Sequence, residues 1–237
     1  MTPEDVRAAL PAPPEPLATL GELPPDKRGG ILANITASYF KLRRGMAAIA
    51  LAFPIVLWLG GGAGRPEASI SAYYHADGGR MRDVFVGVLW AIGAFLFFYR
   101  GYSRAEDRAL DGAGVAALVV SLAPADWPPA APATPVGRLH AAAALTFFAL
   151  TAYVSVFRSG DTLRLLRDAA RRRRFARTYR LLGLLMLLLP LAALALHALF
   201  PAGERSVLVF LTETAGIYVF AAFWLTKSRE IAALERQ

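Results

Sequence analysis

The sequence predicts an all-α membrane protein: a polytopic bundle of about six transmembrane helices with both termini in the cytoplasm. Hydrophobic residues make up 56% of its 237 residues, which exceeds the share of about 45–50% in soluble globular domains. They are concentrated in long runs, as in helices that cross a bilayer. The Lys and Arg residues cluster in alternate connections between these runs, as the positive-inside rule describes.

The first 45 residues are expected to lie outside the membrane core. Residues 1–30 are rich in proline and acidic side chains and lack the apolar stretch of a signal peptide, so we predict a disordered cytoplasmic tail. Residues 31–45 mix apolar and basic side chains, which favours an interfacial helix leading into the membrane. The transmembrane domain then covers 46–228, and 229–237 form a C-terminal cytoplasmic tail.

Six apolar runs predict the transmembrane helices. The first contains Pro54, which predicts a kink. The third is the weakest, because it contains Asp111 and its rise of about 22 Å is less than the hydrocarbon thickness of about 30 Å. In chain order the runs cover approximately residues 46–60, 83–99, 109–123, 139–157, 179–200 and 206–226.

The distribution of basic residues sets the orientation. With the N-terminus placed inside, the predicted cytoplasmic segments hold 21 of the 26 Lys and Arg residues and the outer segments hold five. This asymmetry predicts that both termini are cytoplasmic. It also supports the third run as a span, because without it the basic N-terminal region and the connection 158–180 would face opposite sides of the membrane.

The connection 158–180 holds nine basic residues and is the most strongly charged segment of the chain. We predict a basic helix or loop on the inner leaflet, where Arg171, Arg172, Arg173 and Arg174 contact anionic lipid headgroups. Since the membrane accounts for the net charge of +8, no nucleic-acid partner is expected. The absence of cysteine from the sequence excludes thiolate metal sites and cysteine nucleophiles.

One carboxylate lies inside a predicted span. Glu213 stands between two threonines near the start of the otherwise apolar sixth run. An ionisable group at this depth costs at least about 2.5–3.5 kcal/mol unless it faces protein or water, so we expect Glu213 to face the bundle interior. The three histidines, His75, His140 and His197, map to the same outer half of the membrane.

Three hypotheses account for this outer polar cluster. In the first, Glu213 only forms hydrogen bonds between helices. In the second, the carboxylate and a nearby imidazole form a transport or proton-linked site. In the third, the protein is a metal-dependent hydrolase in which zinc is bound by His75, His140, His197 and either Asp83 or Glu213, with one open coordination position.

A local pattern bears on the hydrolase hypothesis. Ser71-x-x-x-His75 followed by Asp83 loosely resembles the Ser…His…Asp pattern of the ceramidase-like membrane hydrolase superfamily. The resemblance implies zinc-dependent hydrolysis of a lipid or an amide. That superfamily also carries a His-x-x-x-His pair in a late helix and usually seven spans, whereas here His197 is followed at this spacing by Pro201.

A second resemblance covers approximately residues 45–228. The segments Ser69-Ile70-Ser71-Ala72-Tyr73-Tyr74 and Met81-Arg82-Asp83-Val84-Phe85-Val86-Gly87 are similar to motifs of a widespread set of uncharacterised bacterial multi-pass membrane proteins. The likeness continues through Tyr99-Arg100-Gly101-Tyr102, His140, Tyr179-Arg180, Gly183, Glu213, Trp224 and Lys227. It implies a location in the bacterial inner membrane. His75 and His197 lie outside the pattern, which weighs against zinc.

The second resemblance also implies that one outward-facing polar pocket is lined by Tyr73, Arg82, Asp83, His140 and Glu213. The expected function is non-enzymatic: a small transporter or channel-like protein, or a subunit of a larger membrane assembly, with no cofactor. Membrane lipids are the expected partners. We also expect the chain to form a homo-oligomer or to join a larger membrane complex. The alternative function is the zinc-dependent hydrolase.

Overall fold

The structure, a computed structural model, describes residues 24–64, 66–127, 133–199 and 207–234. The described residues form helices and no strand, which confirms the predicted all-α class. Five of the long helices among them are apolar enough to cross a membrane. Residues 1–23 and 235–237, and with them most of the predicted N-terminal tail, lie outside the described part. The long helices are α1 (Pro25–Gly60), α2 (Arg80–Phe98), α3 (Arg104–Leu122), α4 (Pro135–Tyr153), α5 (Ala169–Leu199) and α6 (Val207–Leu234).

Helix α1 runs without a break through 36 residues. The interfacial helix predicted for 31–45 and the span predicted for 46–60 are therefore parts of one helix. Pro25 occupies the first turn, where its missing N–H leaves no intrahelical hydrogen bond unmade. At a rise of about 1.5 Å per residue the helix is about 54 Å long, so it extends well beyond a hydrocarbon core of about 30 Å.

Helix α3 begins at Arg104, five residues before the start predicted from the apolar run. The Ser103 hydroxyl accepts a hydrogen bond from the Glu106 N–H at 3.2 Å, and acidic residues in the first turn stabilise the helix N-terminus. The 19 residues span about 28 Å, close to the hydrocarbon thickness. Because α3 packs between α2 and α4, much of this less apolar helix contacts protein and not lipid.

Helices α2 and α3 approach closely where Gly93 faces Gly114. A Cβ atom on Gly93 would lie 2.9 Å from the Gly114 carbonyl oxygen, and one on Gly114 would lie 2.6 Å from the Gly93 carbonyl oxygen. Both distances are shorter than a carbon–oxygen contact allows. The two glycines therefore permit a close contact between backbones, as small residues commonly do between helices in lipid.

The connection between α4 and α5 is shorter than the predicted loop 158–180. Helix α4 continues as a π-helical turn over Val154–Arg158 and, after one residue, as a short helical turn over Gly160–Leu163. Helix α5 already begins at Ala169. The predicted basic segment is thus divided between the end of α4 and the first turns of α5.

Asp168 caps the start of α5. Its carboxylate accepts hydrogen bonds from the N–H groups of Ala170 at 2.8 Å and Arg171 at 3.1 Å, and these bonds lower its pKa. The four arginines of Arg171–Arg174 follow on the first turns of α5, where their side chains are exposed. Their contact with anionic headgroups stays a prediction.

Successive helices run in opposite directions. At one end of the bundle Glu106, near the start of α3, lies beside Lys227, near the end of α6. At the other end the segment after α1 reaches Glu213, near the start of α6. The N-terminal half of α1 and the C-terminal half of α6 therefore share one end. We call it the basic end, because it also carries Arg171–Arg174, and we call the other the opposite end.

A buried ion cluster joins the helices at the basic end. The Lys227 ammonium lies 3.9 Å from carboxylate oxygens of Glu106 and Glu230, and it donates a hydrogen bond to Thr162 Oγ1 at 3.2 Å. The Tyr102 backbone N–H donates to Glu106 Oε2 at 2.9 Å. Lys227 and both carboxylates are at most 1% exposed. The cluster ties α6 to α3 and to the turn that follows α4.

Two further contacts extend the cluster to α1 and α5. The Tyr179 hydroxyl of α5 donates to Glu230 Oε2 at 2.5 Å. Arg43 of α1, which is 3% exposed, donates from Nε to the Tyr99 hydroxyl at 3.0 Å. Tyr179 thus joins α5 to the ion cluster, and Arg43 joins α1 to the turn that follows α2.

Removing the ammonium should destabilise the whole bundle. In Lys227→Met two buried carboxylates lose their shared cation, and loss of one partner from a buried ion pair typically costs about 3–5 kcal/mol. We expect a clearly lower thermal unfolding midpoint in detergent. Arg229→Met is the matched control, because Arg229 is an exposed cation on the same helix. Equal midpoints for the two variants would contradict a structural role for the cluster.

The cysteine-free sequence allows the orientation to be measured with single thiols. Arg173→Cys places one at the basic end, and Gly64→Cys places one in the exposed segment after α1 at the opposite end. With the basic end in the cytoplasm, a membrane-impermeant maleimide should label only Gly64→Cys in intact cells and both variants after permeabilisation. Labelling of Arg173→Cys alone in intact cells would reverse the orientation.

Candidate functional site

The Glu213 carboxylate of α6 faces the protein at the opposite end. Its oxygens lie 2.9 and 3.1 Å from the Ser69 hydroxyl, which donates to them, and Oε2 accepts the Ile70 backbone N–H at 2.6 Å. Two donors from one segment, the Ser69 hydroxyl and the Ile70 N–H, compensate the carboxylate for the water it loses in the membrane. In return, Glu213 holds that segment against α6.

The same segment brings Ser71 to His140 of α4. The Ser71 Oγ lies 2.9 Å from His140 Nε2, and His140 Nδ1 lies 2.7 Å from the carbonyl oxygen of Ala123. A carbonyl oxygen only accepts hydrogen bonds, so Nδ1 carries the proton of the neutral imidazole. The Nε2 lone pair is then left to accept the Ser71 hydroxyl proton. His140 is 6% exposed, whereas Ser71 is partly exposed at the edge of the bundle.

Apolar packing explains why the segment folds back over the bundle. Ser71–Tyr74 form a 3₁₀ turn in which Tyr73 is buried, with its ring centroid 6.1 Å from that of Phe210. The Tyr73 hydroxyl accepts the Glu67 N–H at 3.2 Å. Ile70, which is 4% exposed, belongs to the same buried cluster. Burial of these two side chains turns the serines between and beside them toward α4 and α6.

A cavity of about 400 Å³ opens beneath this segment, between α4, α5 and α6. One end is polar, and its lining there includes Ser69, Ser71, His140 and Glu213. The remaining walls are largely apolar, formed by Ala141, Ala144, Leu145, Phe148, Pro190, Ala193, Leu194 and Gly216. A volume of this size falls within the range of small-molecule sites.

A second, smaller cavity of about 120 Å³ reaches toward the bundle centre. Ser71, His140 and Glu213 line it as well as the larger cavity. Its other walls are apolar and include Phe85, Phe147 and Phe220. The serine, the imidazole and the carboxylate therefore stand where two mostly apolar spaces meet.

Two charged residues lie beside the polar end of the larger cavity. The Asp126 carboxylate accepts hydrogen bonds from the Thr134 N–H at 2.9 Å and the Thr134 hydroxyl at 2.5 Å. These bonds lower the pKa of Asp126, which keeps it anionic at neutral pH. Arg138, exposed on the first turn of α4, lines the same cavity.

The five residues predicted to share a pocket are distributed as follows. His140 and Glu213 line both cavities. Tyr73 is buried beside them and lines neither cavity. Arg82 and Asp83 are exposed at the start of α2, where the Arg82 guanidinium lies 5.9 Å from the Tyr74 ring centroid.

Two of the histidines in the alternative zinc site have other hydrogen-bond partners in the structure. His75 Nε2 lies 2.9 Å from the Ala125 carbonyl oxygen, and both ring nitrogens of His140 have hydrogen-bond partners. Within the described residues no group of three or more His, Asp or Glu side chains is placed to hold a metal. The side chain of His197 lies outside the described part. The zinc site of His75, His140, His197 and Asp83 therefore stays untested.

Sequence reasoning missed the role of Ser69 and of the Ala123 carbonyl, and it considered Ser71 only together with His75. The available signal was the Ser-Ile-Ser pattern, in which two hydroxyl residues flank an apolar one in a loop next to the membrane. It did not indicate His140 as the partner, because the two residues are 69 positions apart.

Comparison of the chain with protein-family models, with curated proteins and with solved structures finds no match.

Replacing Glu213 should release the segment that carries the serines. Glu213→Leu removes the acceptor of the Ser69 hydroxyl and the Ile70 N–H, and each unpaired buried donor costs about 1–3 kcal/mol. We expect faster hydrogen–deuterium exchange in residues 66–75, with a smaller effect in Glu213→Gln, which keeps one acceptor oxygen. Thr214→Val, next to Glu213 on α6, serves as the control. Unchanged exchange in Glu213→Leu would contradict the anchoring role.

Proposed function

We propose that this protein binds an amphiphilic molecule from the outer leaflet of the bacterial inner membrane. The polar group of the ligand would contact Ser71, His140 and Glu213, and its hydrocarbon part would occupy the larger cavity. The observation that carries the proposal is the asymmetry of that cavity, which combines apolar walls along α4 and α5 with a polar cluster at one end.

The walls favour an amphiphile over an inorganic ion. Ion paths are lined by rings of carbonyl oxygens or charged side chains, whereas Leu145, Phe148 and Leu194 face this cavity. Toward the basic end the bundle core is filled by buried aromatic side chains such as Phe220 and Trp224. These features support a binding cavity that is accessible from one side.

The position of the polar cluster supports an outer-leaflet ligand. The cluster lies at the opposite end of the bundle, and the positive-inside rule assigns the basic end to the cytoplasm. The cavity lies between α4, α5 and α6, where exposed leucines such as Leu139 and Leu191 provide a lipid-facing surface. A lipid-like molecule can approach such a site laterally. The transporter and assembly-subunit functions expected from the sequence would use the same cavity.

Photo-crosslinking in lipid nanodiscs tests the proposal. A fatty acid that carries a diazirine in its chain should form adducts on cavity residues such as Ala141 and Leu145, mapped by peptide mass spectrometry. Ala144→Trp, which fills the wall shared by both cavities, should lower these adducts at least about fivefold. Adducts on the lipid-exposed Leu139 should not change.

The control is Ala142→Trp, two residues away on the exposed face of α4, which should leave cavity adducts intact. Equal loss in both tryptophan variants, or no adducts on cavity residues in the unmodified protein, would contradict amphiphile binding.

A further inference from the structure

We infer that Ser71 is a nucleophile and His140 its general base, and that the site transfers the acyl group of an ester-bearing amphiphile. The inference rests on the proposed function for the class of substrate. The geometry that carries it is the Ser71–His140–Ala123 chain of contacts at the junction of the two cavities.

The hydrogen bonds of His140 leave its basic nitrogen facing Ser71. The Ala123 carbonyl fixes the proton on Nδ1 and so leaves the basic Nε2 lone pair facing the Ser71 hydroxyl at 2.9 Å. A general base must lie about 2.6–3.2 Å from the oxygen whose proton it takes. A base that is itself oriented by a third group is the arrangement that activates serine nucleophiles.

Other hydroxyls inside the bundle bond to backbone carbonyls. Thr151 Oγ1 donates to the Phe147 and Phe148 carbonyls, and Ser228 donates to the Trp224 carbonyl. Each bonds back to its own helix, as hydroxyls in transmembrane helices commonly do. Ser155 donates to the Tyr179 carbonyl of α5, so it also bonds to a backbone oxygen. Ser71 instead donates to an imidazole and lines both cavities. This is the placement of a hydroxyl that meets a ligand.

Hydrogen bonds hold the Ser71 backbone in place. The Ser71 backbone N–H donates to Ser69 Oγ at 3.1 Å, and Ser69 Oγ in turn donates to Glu213. Glu213 is therefore a positioning residue, which fixes the backbone of the nucleophile through Ser69 without contacting the reacting oxygen. The pairs Ser71–His140 and Ser69–Glu213 form one connected unit.

The reaction balances with the ester and water alone. Ser71 Oγ attacks the ester carbonyl carbon while its proton passes to His140 Nε2. The bond from that carbon to the leaving oxygen breaks, and the leaving oxygen takes the proton from Nε2 and departs as an alcohol. Water then attacks the acyl-serine ester, gives its proton to Nε2, and displaces Oγ, which recovers that proton. The products are a carboxylic acid and an alcohol.

Diisopropyl fluorophosphate tests the nucleophile without any assumption about the amphiphile. Ser71 Oγ would attack phosphorus and displace fluoride, and peptide mass spectrometry of the full-length protein should locate the diisopropylphosphoryl adduct on Ser71. Ser71→Ala should give no adduct there, and His140→Ala should slow labelling at least about 100-fold. Thermal unfolding in detergent shows whether each variant is folded.

An unlabelled Ser71 in the folded, unmodified protein would overturn the inference, as would labelling at the same rate in folded His140→Ala. The two proposals fail separately. Cavity crosslinks without a Ser71 adduct would leave amphiphile binding in place and remove the catalytic role. A Ser71 adduct without cavity crosslinks would retain the nucleophile and remove the amphiphile.

Discussion

The buried ammonium of Lys227 is the constraint on which the arrangement of the helices depends. In a membrane, apolar side chains gain little by leaving lipid for protein, so apolar packing alone fixes helix registers weakly. A buried charge is different, because its partners have to be within reach or the structure loses several kcal/mol. Glu106 and Glu230 meet this requirement only for one register of α3 and α6. The tyrosine hydroxyl from α5 then fixes a third helix.

The helix register that is fixed at the basic end also determines the position of the site at the opposite end. Glu213 precedes Lys227 by 14 residues on α6, which corresponds to about 21 Å and about four helical turns. Both side chains consequently face the bundle interior from nearly the same side of the helix. Likewise α3 runs from Glu106 in the ion cluster to the Ala123 carbonyl that orients His140. The two polar clusters are linked through rigid helices.

Hydropathy and charge were sufficient to predict the helical class and the inward direction of Glu213. They also predicted six long helices, of which five in the described part are apolar enough to cross a membrane. Hydropathy and charge gave wrong predictions where polar groups of the protein, and not water, surround a charged side chain. Arg104–Arg108 interrupt the apolar run, so the start of α3 was placed too late. Lys227 was counted as a charge beyond the sixth span, although it is 1% exposed within α6. The Ser71–His140 contact depends on a loop that folds back, and no local sequence period encodes such long-range packing.

The filled core beneath the smaller cavity has a consequence for energetics. Phe220 and Trp224 are buried on the side of the ion cluster, and a passage from the cavities to the basic end would have to move them aside. A transporter that used these cavities would therefore need a second conformation in which these aromatic side chains are displaced, and the free energy of that rearrangement would be part of the cost of each transport cycle.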